Sequence, residues 1–179
     1  ACKQTIFFDG KRLPSEAVLR LSTLEVDLCP SNLAERVRAV VLTDGFSEPD
    51  PKETGEKTDV LSAIERQNAS ARELGEAVVM NDDVLSDLSC DLARGGSKAW
   101  HFGRGLASTS ENHRATWTML VHGLEQVAPE KRDVQVLKGF LSELWERNRE
   151  LAQYLLDAAL DQPALVVSLP LLHTALTLD

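Results

Sequence analysis

Apolar residues recur at helical spacing through most of this 179-residue chain, and that spacing constrains its fold more than any other feature. Positions 33, 37, 40 and 41 follow the i, i+4, i+7, i+8 pattern of one helix face. Similar patterns return between Asp-Gly, Gly-Gly and proline-containing stretches, which are typical of helix ends and turns. A helix is predicted after Pro14, and Ser110 and Asn148 are predicted to cap two later helices. The predicted buried faces include Ile64 in one helix, Trp117, Leu120, Val121 and Leu124 in a second, and Val134, Val136, Leu137, Phe140, Leu141 and Leu144 in a third. The only strand candidate, residues 5–8, is too short to support a sheet. We therefore predict an all-α fold.

The predicted helices are short and are joined by short turns, which favours one α-helical domain over residues 1–179. Stacked antiparallel helix pairs fit this pattern, either as a solenoid-like array or as a compact helical bundle. Two prolines, a glycine and mixed charges within residues 46–57 predict a flexible loop or hinge. The first residue is Ala1 and the last residues remain apolar, so we expect a segment of a larger protein.

Two segments of the chain share an internal similarity. Residues 65–77 (ERQNASARELGEA) and residues 146–158 (ERNRELAQYLLDA) have Glu, Arg, Ala and Leu at matching positions, at about twice a 40-residue period. The Leu- and Ala-rich helix pairs of residues 117–176 resemble a divergent HEAT/armadillo-like α-helical repeat. Arrays of that kind act as scaffolds or recognition surfaces, often within multidomain proteins. The resemblance implies the same role here.

The charge balance narrows the range of partners. Nineteen Lys and Arg residues against 28 Asp and Glu residues give a net charge of −9. This charge argues against a general nucleic-acid binder and against a binder of anionic membranes, since both need a basic face. No apolar stretch is long enough for a transmembrane helix. The three cysteines form no CxxC pair, which favours a reducing, cytoplasmic location over a disulfide framework.

Catalytic and metal-binding motifs are missing from the sequence. The four histidines form no HExxH or HxH pattern, so we predict no metal site. We also predict no cofactor, because the chain has neither a phosphate-binding loop nor a nucleophile motif. Asp83, Asp87 and Asp91 form an acidic stripe at helical spacing, which is either a solvated helix face or a surface for a cation or a basic partner.

The most unusual segment is residues 93–107, ARGGSKAWHFGRGLA, a positive region in an acidic chain. From residue 97 onwards it has the least regular pattern in the chain, so we expect irregular structure there. Its cationic side chains and exposed glycine N–H groups could bind an anion, while Trp and Arg are enriched at protein interfaces. Three interpretations remain open: an inter-helix linker with aromatic side chains in the core, a docking segment for a protein or peptide, and a small-anion site. The candidate binding residues are Arg94, Lys98, Trp100, His101 and Arg104.

The function that we expect is a helical scaffold or recognition module, mediating protein–protein or inter-domain interactions without catalytic activity of its own. The partner would be another protein or other domains of the same chain. The alternative is an enzyme, or an enzyme domain, that binds an anionic small molecule near residues 94–104. A third interpretation is a structural domain that dimerises through an apolar stripe. That stripe comprises Val166, Leu169, Leu172 and Leu176. The sequence leaves the oligomeric state and the partner's identity open.

Overall fold

The computed structural model of the protein describes residues 32–43 and 60–176, with isolated positions at 14, 16–17, 20 and 30. The described residues are helical, with no strand among them, which confirms the predicted all-α fold. The loop predicted at residues 46–57 lies outside them, as does most of the helix expected after Pro14.

Eight α-helices are present in the described part of the chain. They are α1 (Leu33–Val37), α2 (Val60–Val78), α3 (Asp82–Leu92), α4 (Ala99–Thr109), α5 (His113–Glu125), α6 (Gln135–Arg147), α7 (Arg149–Ala158) and α8 (Leu169–His173). A π-helical turn at Arg38–Leu42 continues α1. Short 3-10 turns lie at Pro129–Lys131, Ala159–Asp161, Val166–Ser168 and Thr174–Leu176.

Asparagine side chains begin two of the later helices. The side-chain oxygen of Asn148 accepts a hydrogen bond from the Leu151 N–H at 3.1 Å, which confirms the cap predicted there for α7. Asn112 begins α5 in the same way. Ser110 was the predicted cap of α5, but this residue is buried, and its hydroxyl lies 2.9 Å from the hydroxyl of Thr116.

From α2 to α6, alternate helices are neighbours in space. Helix α4 packs between α2 and α6, and α3 packs against α5, whereas α2 and α3 barely touch each other. Two contacts show the relative direction of α4 and α6. Near the start of both helices the Trp100 backbone lies against Gly139, and near the end of both the Ser108 carbonyl accepts a hydrogen bond from Arg147. We infer that α4 and α6 run parallel within one layer of α2, α4 and α6.

Glycines allow the backbones of this layer to touch. A Cβ atom at Gly105 on α4 would collide with the carbonyl of Arg72 on α2. A Cβ atom at Gly139 on α6 would collide with the carbonyl of Trp100 on α4. Only glycine permits so close an approach of one backbone to another. Backbone contact therefore sets the spacing of the layer.

The apolar core follows most of the predicted helix faces. On α5 the predicted face of Trp117, Leu120, Val121 and Leu124 is buried. On α6, Phe140 is fully buried together with the other apolar residues predicted there. The prediction for α2 was partly wrong, because its Ile64 is exposed. Helix α4 contacts α2 around residues 72–76, further along the helix than Ile64.

No helix in the described ranges combines the length and the apolar composition that crossing a bilayer requires.

Candidate functional site

The five candidate binding residues fall on two different structural elements. Arg94 and Lys98 belong to the turn between α3 and α4, whereas the other three lie within α4. The segment was expected to be irregular, but from residue 99 onwards it is a regular helix. The residues on α4 are Trp100, His101 and Arg104.

The glycines of residues 93–107 are also divided between the turn and α4. Gly95 has a φ of +93°, which side-chain-bearing residues rarely adopt, and it lies just after the end of α3. Gly103 and Gly105 instead lie inside α4, where both are buried. The expectation that these glycines expose free N–H groups to an anion is therefore wrong for Gly103 and Gly105.

An open cavity of about 680 Å³ lies beside the turn. Of the five candidate residues, only Arg94 lines it. The Nη1 atom of Arg94 lies 3.0 Å from a carboxylate oxygen of Asp91, so this guanidinium already has an anionic partner. The cavity walls are formed by Arg38, Leu42, Asp91, Arg94, Gly95, Gly96, Ser97 and Asp133.

Arg38 supplies the cation for the acidic stripe of α3. Its guanidinium binds Asp87 at 2.8 Å and Asp91 at 2.9 Å. The hydrogen bonds to Asp91 and then to Asp87 raise the pKa of Arg38 above its ordinary value. Two residues of the acidic stripe, Asp87 and Asp91, therefore contact the π-helical turn within the fold.

The walls of the 680 Å³ cavity carry both signs of charge, because Asp91 and Asp133 line it together with Arg38 and Arg94.

Lys98 contributes little to the surface, because the residue is buried. Its backbone N–H donates to the Val41 carbonyl at 3.3 Å, and its ammonium lies 3.3 Å from the hydroxyl of Ser97. The backbone hydrogen bond to Val41 attaches the turn to the π-helical turn after α1. Lys98 is absent from the walls of the 680 Å³ cavity.

Arg104 is held by two carboxylates on α6. Its Nε atom lies 2.8 Å from Oε2 of Glu143, and its Nη2 atom lies 2.8 Å from Oε2 of Glu146. The guanidinium carbon lies 5.3 Å from the centre of the Trp100 ring, within cation–π range. The two carboxylates pair the Arg104 guanidinium within the fold, so Arg104 is not a free donor for an external ligand, and the Trp100 ring packs against this guanidinium.

Glu143 is the centre of a larger charged group that sequence reasoning missed. Only 2% of this residue is exposed, yet it also binds Arg72 at 2.8 Å and Arg147 at 2.9 Å. One buried carboxylate thus joins guanidiniums from α2, α4 and α6. In the sequence, basic and acidic residues alternate irregularly between positions 130 and 150, which predicts a solvated face with weak ion pairs. That prediction is wrong for Glu143, which is buried. The i, i+4 spacing of Glu143 and Arg147 was visible in the sequence, but the partners on α2 and α4 were not.

His101 lies beside this group and is partly buried. Burial lowers the pKa of His101, and the positive charges of Arg104 and Arg72 lower it further. Its ring meets the Trp100 ring edge-on, with 4.7 Å between the centroids. A neutral imidazole is therefore expected at neutral pH, next to guanidiniums that already bind carboxylates.

Within the residues that the structure describes, no group of three or more His, Cys, Asp or Glu side chains is placed to hold an ion.

Exposed apolar side chains gather on the turns that follow α7. Leu160, Val166, Val167 and Leu171 are 59%, 49%, 88% and 53% exposed, and we call them the C-terminal apolar patch. The 3-10 turns that carry the first three residues contact each other, and the second turn contacts α8, which carries Leu171. Helix α8 in turn packs on α6 and α7. The patch is therefore held by the core.

The apolar stripe expected to mediate dimerisation is not a continuous free surface. Leu172 is fully buried, and Leu169 and Leu176 pack against the core while only partly buried. Val166 alone of that stripe belongs to the exposed patch. The turns around Pro170 do not form one long helix, so helical spacing misplaced these side chains.

Comparison of the chain with protein-family models, with curated proteins and with solved structures found no match.

Proposed function

We propose that the chain is a helical recognition module without catalytic activity of its own, and that it contacts another protein or another domain of its own polypeptide. The observation that carries this proposal is the C-terminal apolar patch. Its four large apolar side chains are each about half exposed or more, and they lie within residues 160–171 on turns and a short helix that contact one another. Clustered exposed apolar surface is typical of sites where proteins interact, whereas scattered apolar residues are not.

A related proposal is that the chain carries a divergent HEAT/armadillo-like helical repeat, mainly over residues 117–176. Such arrays place every second helix side by side, and α2, α4 and α6 have this relationship here. The matched segments 65–77 and 146–158 differ locally, since the first lies within α2 and the second contains the Asn148 break between α6 and α7. The support thus comes from helix packing and not from the similarity between those two segments.

The cysteine pattern supports a cytoplasmic location.

The charged residues favour recognition over the binding of an anionic small molecule near residues 94–104. That alternative needs free donors that converge on one cavity. Arg94 and Arg104 instead bind carboxylates, and only Arg94 lines the 680 Å³ cavity. An entering anion would compete with Asp91 and would also face Asp133.

Affinity co-purification from native lysate with mass spectrometry tests the proposal. Four forms of the chain are compared: the unmodified chain, Val167→Glu/Leu171→Glu, Arg94→Glu and the control Met80→Glu, which alters an exposed apolar residue outside the patch. We expect a specific partner with the unmodified chain and with Met80→Glu, and its loss with the patch variant. A partner lost only with Arg94→Glu would preserve the recognition function but place it at the turn. Failure of all four forms to retain a partner would overturn recognition of a separate protein and would restrict the proposal to contact with another domain of the same polypeptide.

A further inference from the structure

A second cavity, of about 380 Å³, lies between two turns of the fold. One turn joins α2 to α3 and the other joins α4 to α5, and the first two turns of α5 complete the wall. The charged residues of the wall are Asp82 and Glu111, and no Lys or Arg occurs among the described residues that line this cavity. Its wall therefore carries negative charge only, whereas the 680 Å³ cavity carries both signs.

The nearest basic residues in the sequence, His113 and Arg114, are engaged elsewhere. The Nε2 atom of His113 lies 3.0 Å from the Ala107 carbonyl oxygen, and the Arg114 guanidinium lies over the Tyr154 ring, 4.3 Å from its centroid. Neither residue lines the cavity. The two carboxylates of the wall form no ion pair within the part of the chain that the structure describes, so no cation of the fold competes with a ligand for them.

Two buried hydroxyls in the wall add hydrogen-bond acceptors. Ser110 and Thr116 are each 7% exposed, and their hydroxyl oxygens lie 2.9 Å apart. The Thr116 hydroxyl donates to the Asn112 carbonyl at 3.3 Å, so its oxygen accepts the proton of Ser110. The Ser110 oxygen then has no proton left for a ligand and can only accept. The hydroxyl pair therefore suits a ligand that donates hydrogen bonds.

An apolar wall accompanies these polar groups. Val79 and Met119 are partly buried and pack against the core, and Ala115 also lines the cavity. The thioether of Met119 is flexible and polarisable, so it adapts to hydrocarbon of different shapes. Met80 lies at the rim, where 76% of it is exposed, and the wall does not depend on it. An aliphatic chain can therefore pack along this wall.

We propose that this cavity binds a lysine side chain of the protein partner. The inference rests on the proposed recognition function and adds a contact of defined chemistry to it. The four-carbon stem packs on Val79 and Met119. The ammonium group has three N–H donors, and the acceptors that the wall offers are Asp82, Glu111 and the Ser110 hydroxyl.

The chemistry of the wall argues against other occupants. An acidic or phosphorylated group would meet Asp82 and Glu111 with like charge. A purely apolar group would displace water from the carboxylates without replacing its hydrogen bonds. Arginine has the right charge, but its planar fork prefers one bidentate carboxylate. Here the carboxylates come from two different turns, which suits the rotatable donors of an ammonium group.

Methyl NMR tests the inference with n-butylammonium, which reproduces the end of a lysine side chain. The chain has two methionines and both line the cavity, so ¹³C-methyl labelling of methionine reports on this site. We expect the Met119 signal to shift and to saturate, with a dissociation constant on the order of 1–10 mM for so small a ligand. The anionic n-pentanoate should bind at least about fivefold more weakly, and n-propylguanidinium should also bind more weakly.

Two double variants test the role of the carboxylates. Asp82→Asn/Glu111→Gln should weaken n-butylammonium binding at least about fivefold, because both charges of the wall are removed. Glu130→Gln/Glu150→Gln removes two exposed carboxylates outside the cavity and should bind like the unmodified chain. All four side chains are exposed, and circular dichroism confirms that each variant is folded.

Adding the same two variants to the lysate experiment tests whether the lysine belongs to the partner. We expect Asp82→Asn/Glu111→Gln to lose the partner and the control to retain it. Equal binding of n-butylammonium and n-pentanoate, or an equal loss in the two variants, would overturn the cation site. Probe binding together with retention of the partner by both variants would assign the cavity to a free alkylammonium ion and overturn the lysine contact.

Failure of the inference is distinct from failure of the proposed function. A partner that is lost only with Val167→Glu/Leu171→Glu would leave the recognition function standing and remove only the lysine contact. If no form retains a partner, the contact with a lysine of a separate protein is overturned, and the NMR titration alone decides whether the cavity binds a cation.

Discussion

The guanidinium Nε of Arg104 lies 2.8 Å from Oε2 of Glu143, so a cation on α4 is fixed to a buried carboxylate on α6. Glu143 also binds Arg72 from α2 and Arg147 from its own helix. The same three helices meet through their backbones at Gly105 and Gly139. Ion pairs and backbone contacts therefore fix the same relative position of the helices.

Glu143→Gln should destabilise the fold. The substitution removes the negative charge that the three arginines share and leaves their guanidiniums close together. We expect a loss of about 2–3 kcal/mol in the free energy of unfolding, at the low end for a buried ion pair because Arg72 and Arg147 are partly solvated. Urea denaturation measures it. Glu146→Gln, at an exposed partner of Arg104, should cost about 1 kcal/mol or less. Equal losses for the two variants would contradict the central role of Glu143.

Gly139→Ala should also lower stability, although alanine is the better helix former. The gain in helix propensity is about 1 kcal/mol, whereas the new methyl group would collide with the carbonyl of Trp100. Because a backbone must move to accept it, we expect a net loss of about 1–2 kcal/mol. Thermal unfolding measures the change, with Ser62→Ala at an exposed position of α2 as the control. A more stable Gly139→Ala protein would show that the helices are not in contact there.

Arg38→Gln should weaken the attachment of the π-helical turn to α3. The variant leaves Asp87 and Asp91 without this cation. Because these side chains are substantially exposed and screened by solvent, we expect a loss of about 1 kcal/mol or less, which shrinks further at about 1 M salt. Arg36→Gln, at an exposed neighbouring position, is the matched control and should change stability less. A loss that does not respond to salt would argue against an electrostatic contact.

His101 should make the free energy of unfolding depend on pH. Its pKa in the folded chain is lower than the ordinary value of 6.5, so the unfolded chain takes up a proton first as the pH falls. Stability should therefore decrease as the pH is lowered through about 6.5, and this contribution should level off below the folded pKa. His101→Gln should remove that part of the dependence. NMR titration of the imidazole gives the direct measurement, and a pKa at or above 6.5 would contradict the prediction.

Much of the helical core could be predicted from the sequence because apolar spacing reports local geometry directly. The buried face around Trp117 on α5 and the Asn148 cap are examples. Each depends on residues no more than two turns apart. Periodicity also predicted the fold class, because no alternating pattern competes with the helical one.

Helix α4 shows where local reasoning fails. The sequence pattern of this segment is the least regular in the chain, and its Gly103 and Gly105 each lower helix propensity by about 1 kcal/mol relative to alanine. Packing of α4 between α2 and α6 outweighs this low helix propensity. The same packing requires glycine, because backbone atoms of the neighbouring helices occupy the space that a side chain would need. The same limit applies to Glu143, whose partner Arg72 lies 71 residues earlier in the chain. No local pattern identifies such a partner.

The backbone contacts at Gly105 and Gly139 also determine how this protein can diverge in evolution. Most exposed charges of the helices can be exchanged without moving the main chain, so surface chemistry is free to drift. A side chain at either glycine would instead wedge α4 away from a neighbour. Descendants that keep the architecture should therefore retain this pair of glycines after much of their other sequence similarity has been lost.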